Sequence, residues 1–177
     1  MIVVIDYGMG NLRSVSKALE SLGASVNVSS DPADVAQASK VILPGVGAFP
    51  AAMRELLSKR LVEPVKAAIG RGTPYLGICL GLQLLFERSD EGEGAAGLGV
   101  LAGTVKRFAA DPRCKVPHMG WNQVTSGQPA PARVIGGPGW SVAGGQKECP
   151  LLKGIPDKSY FYFVHSYYGV PQDRSVV

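Results

Sequence analysis

Gly77-Ile78-Cys79-Leu80-Gly81 sets a thiol between glycines two positions to either side. The run before it, Tyr75 to Ile78, reads as a buried strand, and Leu80 to Phe86 reads as a helix. A cysteine at such a corner has the setting of a nucleophile elbow, with sulfur in place of the usual serine oxygen. The sharp turn lifts the side chain above the sheet, and small neighbours leave room for the backbone beside it. A helix starting at Leu80 favours the thiolate. The Leu80 N–H is then placed to meet an oxygen that turns negative in a tetrahedral intermediate. The alternative for Cys79 is a buried structural thiol, but the flanking elements favour the nucleophile. Cys114 and Cys149 lack that setting and are expected to be inert.

Pro44-Gly45-Val46-Gly47 closes a third apolar strand at the carboxyl edge, where open α/β sheets bind ligands. Its glycines let an N–H turn toward the same oxyanion; an ordinary glycine turn is the alternative. Gly8-Met9-Gly10-Asn11 follows the first strand, but position 13 is Arg, so the dinucleotide-binding GxGxxG pattern is not met. Asn11 reads there as a helix cap. A thiolate hydrolase needs a base, and the chain has two histidines, His118 and His165. His118 lies in Pro117-His118-Met119-Gly120-Trp121-Asn122, read as an exposed loop whose tryptophan is available for contact. His165 ends the β-rich run Tyr160–Val164. Neither carries a mark of the base, so the acid–base partner of Cys79 stays open at this level.

The elements that must position these groups alternate. Ile2–Ile5 is a continuous apolar run, as a strand buried on both faces requires. Leu12, Val15, Leu19 and Leu22 follow at helical spacing, and Gly23 ends that helix. Val26 and Val28 mark a second strand, and Asp31-Pro32 opens a short helix. Val41–Leu43 is the third strand, and helical segments surround Pro64. Strand–helix alternation with short links predicts an α/β fold: a doubly wound, mostly parallel sheet. After Glu87 the pattern changes. Ser89–Gly99 reads as a loop, and Val100–Phe108 and Tyr160–Val164 read as strands, which predicts an antiparallel extension. Residues 127–150 hold six glycines and four prolines, and a flexible insertion is expected there.

The chain has 177 residues, 46% of them hydrophobic and 18% charged, which suits one folded domain and excludes global disorder. The uncharged run Gly72–Phe86 is 15 residues long and holds three glycines, too short and too polar for a membrane span. Met1–Asp6 reads as a strand and not as an export leader. Three cysteines spaced by 35 residues, with no CxxC, exclude a disulfide framework and a cysteine zinc site, and suit a reducing cytoplasm. Residues 1–100 carry nine Lys/Arg against ten Asp/Glu, and residues 101–177 carry nine against four. The basic residues are scattered and form no stripe, so nucleic acid is not the expected partner.

Five segments in order carry a family resemblance: IDYGMGNLRSV, LPGVGAF, GICLGLQLLFE, PHMGWN and YFVHSYY. Together they resemble the glutaminase subunits of imidazole glycerol phosphate synthases, a branch of the class I glutamine amidotransferases. The resemblance runs from Ile2 to Val177 apart from the insertion, and it implies a flavodoxin-like core. It implies hydrolysis of L-glutamine, with the ammonia passed to a cyclase subunit in a heterodimer of histidine biosynthesis, and no cofactor or metal. It assigns Cys79 as the nucleophile, and Val46 and Leu80 as oxyanion-hole backbone. Gly47 and Gln83 hold the bound glutamine, with Ser166 and Tyr167 beside its α-amino and carboxylate groups. Asn11, Trp121 and Tyr162 match positions facing the synthase partner, and His165 matches a motif residue distinct from the triad histidine. The family's catalytic His and Glu belong to a His-Pro-Glu motif, which these 177 residues do not contain. The expectation is a single amidotransferase domain over 1–177, C-terminally truncated; the alternative is a non-catalytic relative that serves as a binding or assembly partner.

Overall fold

The computed structural model describes residues 1–110, 115–126, 140–142 and 150–173. The chain divides into two compact units, Met1–Thr104 and Val105–Val177.

In the first unit β1 (Ile2–Ile5), α1 (Leu12–Ser21), β2 (Val26–Ser29), α2 (Pro32–Gln37) and β3 (Lys40–Gly45) follow one another. Then come α3 (Phe49–Ser58), α4 (Val62–Gly70), β4 (Tyr75–Cys79) and α5 (Leu80–Gln83), and finally β5 (Phe86–Ser89) with β6 (Ala95–Ala96). The sheet order is β2-β1-β3-β4, all parallel, which is the flavodoxin-like order. The apolar runs explain it. Val3, Val4, Ile5, Val41 and Leu43 are buried in the central strands, and Val35, Phe49, Leu56, Leu61 and Val65 bury the helices. Each large apolar side chain so buried is worth about 1.5–3 kcal/mol. Local capping agrees with the sequence: Asn11 Oδ1 accepts from the Ser14 N–H at 3.2 Å, and Asp31 Oδ1 accepts from Ala33 at 2.8 Å. Helix α3 has no such cap of its own. Its Phe49 N–H donates instead to Glu91 Oε2 at 2.9 Å, from 42 residues away.

The helix expected over Leu80–Phe86 is shorter than its periodicity implies. It ends at Gln83, and Phe86 already starts β5, which pairs antiparallel with β6. The cause is tertiary. The carbonyls of Leu84, Leu85 and Glu87 accept from Leu98, Val100 and Gly97, so the chain after Gln83 bonds to a distant segment and not to the next helical turn. No described helix is long and apolar enough to cross a membrane.

Strand β7 (Leu101–Arg107) leads out of the first unit. The second unit contains β8 (His118–Ser126), β9 (Trp140–Val142), a 3₁₀ turn at Pro150–Leu152, β10 (Ser159–His165) and β11 (Tyr167–Pro171). Strand β8 lies between β10 and β9, antiparallel to the first and parallel to the second. The loop expected around His118 and Trp121 is therefore a strand. Its glycine and polar residues are accommodated because β10 supplies seven register partners, from Ser159↔Val124 to His165↔His118. Of the 127–150 stretch, Trp140–Val142 forms β9, and Pro150 begins the 3₁₀ turn. Residues 127–139 and 143–149, and with them Cys149, lie outside the described residues, as does Cys114.

Candidate active site

Cys79 ends β4 with φ 55° and ψ −113° and is exposed. Positive φ at a non-glycine residue costs about 1–3 kcal/mol and persists only where its surroundings enforce it. Here glycines enforce it from three sides. A Cβ on Gly81 would overlap the Leu43 carbonyl oxygen, and one on Gly77 would lie 2.6 Å from Gly81 O and Leu82 N. A Cβ on Gly45, the register partner of Cys79, would lie 2.6 Å from the Tyr7 hydroxyl and 2.9 Å from Leu80 Cβ. Strand β3 and the elbow thus touch backbone to backbone. The glycine spacing read from the sequence is a packing requirement of the corner itself.

Two tyrosines lie close to the corner. Tyr75 Oη donates to Gly81 O at 3.0 Å. Tyr7 is fully buried two residues beyond β1, and its hydroxyl has no hydrogen-bond partner among the described residues. Burial pushes both phenols far above their ordinary range. For Tyr7 the neighbouring Cys79 adds to the rise, and for Tyr75 the neighbouring Tyr7 does. Both therefore stay protonated and able to donate.

Around the thiol, Val46, Ile78 and Leu82 are exposed, Leu80 is buried and Gln83 is half-buried. Gly47 holds φ 101° in the exposed link after β3. The first unit thus contains Cys79, Val46, Gly47, Leu80 and Gln83 together, on α5, β4 and the link after β3. The helix beginning at Leu80 is a single turn, so its dipole is weaker than a helix through Phe86 would supply. Asn11 is exposed, with its side chain engaged as the α1 cap.

The remaining expected residues lie in the second unit. Ser166 links β10 to β11 and Tyr167 opens β11, and the Ser166 carbonyl accepts from the Phe108 N–H at 3.0 Å. Trp121 and Tyr162 are cross-strand partners with ring centroids 5.5 Å apart, edge to face, and are 67% and 54% exposed. Sequence reading missed the pairing of the two histidines. His118 Nδ1 lies 3.0 Å from His165 Nε2, His165 Nδ1 lies 3.0 Å from the Tyr167 carbonyl, and Asn122 Nδ2 contacts His118 Nε2. The only signal was a pair of histidines 47 residues apart, His165 at the end of a β-rich run and His118 in a segment read as a loop.

Burial lowers the His165 pKa, and His118 lowers it further, against the opposing bond to Tyr167. The unfolded chain takes up a proton on this ring near pH ~6.5, and the folded chain resists doing so. Stability from this group is thus complete above that pH and declines as pH falls below it. Urea midpoints measured from pH 8 to pH 5 are expected to fall less in His165→Asn than in the unsubstituted chain. Parallel curves for the two proteins would remove the histidine from the account.

An exposed thiol on a strained strand-to-helix corner, walled by glycines, is the arrangement of a cysteine acyl-transfer enzyme. Comparison with known proteins agrees. The family described as glutamine amidotransferase class-I matches residues 3–176. The imidazole glycerol phosphate synthase subunit HisH of Moorella thermoacetica is 51% identical over 176 residues, covering 99% of this chain and 74% of the relative. That of Microcystis aeruginosa is 47% identical over 173 residues, covering 98% and 73%. That of Syntrophotalea carbinolica is 48% identical over 182 residues, covering 100% and 79%. A crystal structure of a glutamine amidotransferase superposes with a TM-score of 0.57 at 20% identity, over 70% of this chain and 64% of the other, just under two thirds, and so speaks for the fold. With the elbow geometry and a family match along nearly its whole length, the chain belongs to the class-I glutamine amidotransferases.

Proposed function

We propose that this chain is the glutaminase subunit of an imidazole glycerol phosphate synthase. The Cys79 thiolate attacks the side-chain amide carbon of L-glutamine, and the amide oxygen becomes an oxyanion facing the Val46 and Leu80 backbone. Return of the thiol's proton to the amide nitrogen lets collapse expel ammonia and leave a glutamyl thioester, which water hydrolyses to glutamate and the free thiol. In this reading Gly47 and Gln83 of the first unit hold the substrate, and the family resemblance assigns Ser166 and Tyr167 to its α-amino and carboxylate groups. The observation that carries this reading is the positive φ of Cys79 on its glycine-walled corner.

The ammonia would pass to a cyclase subunit, in a cytoplasmic heterodimer whose joint reaction is a lyase step of histidine biosynthesis. The second unit has a surface suited to a partner. Met119 and Trp121 on β8 and Tyr160, Tyr162 and Val164 on β10 are all exposed, and the register makes them one apolar stripe. Contiguous exposed apolar surface of this kind marks protein contacts. Asn11 is the partner-facing residue of the first unit in this reading. A second reading, an amidotransferase-like assembly partner without catalysis, draws on the two histidines being bonded to each other.

A diazo-oxo analogue of glutamine followed by peptide mapping tests the assignment. Cys79 is expected to be labelled first, saturably, and with protection by L-glutamine. Preferential labelling of Cys114 or Cys149, or labelling that glutamine does not compete, would sink it.

A further inference from the structure

Among the described residues, the Tyr7 hydroxyl is the one buried side-chain polar atom without a hydrogen-bond partner. Its surroundings lie wholly within the first unit. Tyr7 is fully buried two residues after β1. A Cβ on Gly45 would meet Tyr7 Oη at 2.6 Å, Leu80 Cβ at 2.9 Å and the Gly81 nitrogen at 3.0 Å. Gly45 is the register partner of Cys79, so the hydroxyl sits where the end of β3 meets the first residues of α5. An unbonded buried donor costs about 1–3 kcal/mol, and a phenylalanine would fill the same space without that cost. Such a group in a folded chain calls for a reason. Tyr75 gives the contrast, since its hydroxyl is bonded to the Gly81 carbonyl at 3.0 Å. The charged groups around the turn after β1 are engaged elsewhere. Asp6 Oδ1 accepts from the Gly8 N–H at 3.0 Å, Lys59 Nζ donates to the Asp6 carbonyl at 3.4 Å, and Glu55 lies with Lys59 beside Gly8. The titratable groups that interact with the Tyr7 hydroxyl are Cys79 and Tyr75, at the two ends of β4.

We propose that the buried Tyr7 hydroxyl is retained, at the expense of fold stability, to turn its O–H dipole toward the Cys79 sulfur and stabilise the thiolate. A hydroxyl with no acceptor rotates about its C–O bond, and side-chain dipoles orient in the field around them. The charge that forms at this junction is the thiolate, and little solvent stands between it and a buried dipole to screen it. Burial and that same charge oppose ionisation of the phenol, so it keeps the proton it presents. Tyr7 works through Cys79 and makes no bond to it. It is therefore a positioning residue and not a catalytic one. Loss of stability in return for a reactive site is a recurrent exchange in enzymes. The proposal rests on the reading of Cys79 as the nucleophile, and on no part of a glutamine site.

Two readouts on one variant test it. Alkylation of Cys79 by iodoacetamide, followed across pH by peptide mapping, gives a midpoint and a limiting rate at high pH. Tyr7→Phe is expected to raise that midpoint by about 0.5 pH unit or more, as loss of a donor facing a charged form does. The limiting rate is expected to be undiminished, because a more basic thiolate is no weaker a nucleophile. Thermal unfolding of Tyr7→Phe is expected to show a Tm equal to or above that of the unsubstituted chain. Tyr75→Phe, which loses the bond to Gly81, is expected to show a lower Tm. An unmoved midpoint in Tyr7→Phe would overturn the proposal, as would a lower limiting rate, the mark of a displaced corner. A fall in its Tm, or failure to fold, would overturn it too, because the hydroxyl would then be holding a stabilising bond. Iodoacetamide has no amino-acid end, so these outcomes are independent of glutamine binding. Labelling by the diazo-oxo analogue that L-glutamine does not compete would remove the glutaminase reading and leave a shifted midpoint in support of Tyr7.

Discussion

A polypeptide of these 177 residues is expected to turn over glutamine negligibly, and addition of a cyclase partner is expected not to rescue it. The reason lies in the histidines it contains. All four ring nitrogens of His118 and His165 are engaged: with each other, with Asn122 and with the Tyr167 carbonyl. A base must accept a proton from the thiol and later from water, and an imidazole held in this chain has no ring position left for either. Positioned acid–base catalysis contributes ~10²–10⁴-fold, so Cys79 and an oxyanion site alone fall short by about that factor. Joining a segment that carries the family's His-Pro-Glu motif is expected to restore partner-stimulated hydrolysis, and Cys79→Ala in that longer chain to abolish it. Robust turnover by the 177-residue polypeptide, lost on His165→Ala, would overturn this and make His165 the base.

Gly81→Ala is expected to be among the most damaging single substitutions in the first unit. Its methyl would overlap the Leu43 carbonyl oxygen, in the middle of β3. Neither group can step aside cheaply. Leu43 is buried in the central sheet, and Gly81 O is already bonded to Tyr75 Oη. Overpacking of a well-filled core costs ~1–3 kcal/mol, and a clash of backbone with backbone belongs at or above the upper end. For a chain of this size that is a fall in Tm of roughly 6–12 °C. Alkylation of Cys79 should slow in step, because the corner that presents the thiol depends on this contact. Gly23→Ala is the comparison: a Cβ there meets nothing within 4 Å, although its φ of 77° still strains an alanine. Gly81, unlike Gly23, does not hold a positive φ, so its cost comes from packing. Thermal unfolding of the two variants decides the matter, and a loss in Gly81→Ala no larger than in Gly23→Ala would mean that the elbow contact yields more cheaply than argued.

The amino-acid sequence by itself determined the elements whose causes are local. Ile2–Ile5 and Val41–Leu43 are apolar without interruption, and only a strand covered on both faces satisfies that composition. Asn11 and Asp31 cap α1 and α2 because a short polar side chain reaches an N–H two or three residues on. The glycines at 77 and 81 bracket Cys79 because the turn and its neighbours lie within a few residues. Tertiary structure decided everything that needed a distant partner. Helical periodicity continues past Gln83, but the chain leaves the helix because the Leu84 and Leu85 carbonyls bond to residues 98–101. The polar, glycine-bearing segment from His118 onward has no strong strand pattern, and it becomes β8 because β10 lies alongside it in register. Glu91 caps α3 across 42 residues, and His118 meets His165 across 47. No local rule links such positions, since their approach depends on which strands pair and in what register. Local sequence therefore revealed where the exposed thiol and its glycine-walled corner sit, while only the folded chain showed that its histidines are committed to each other.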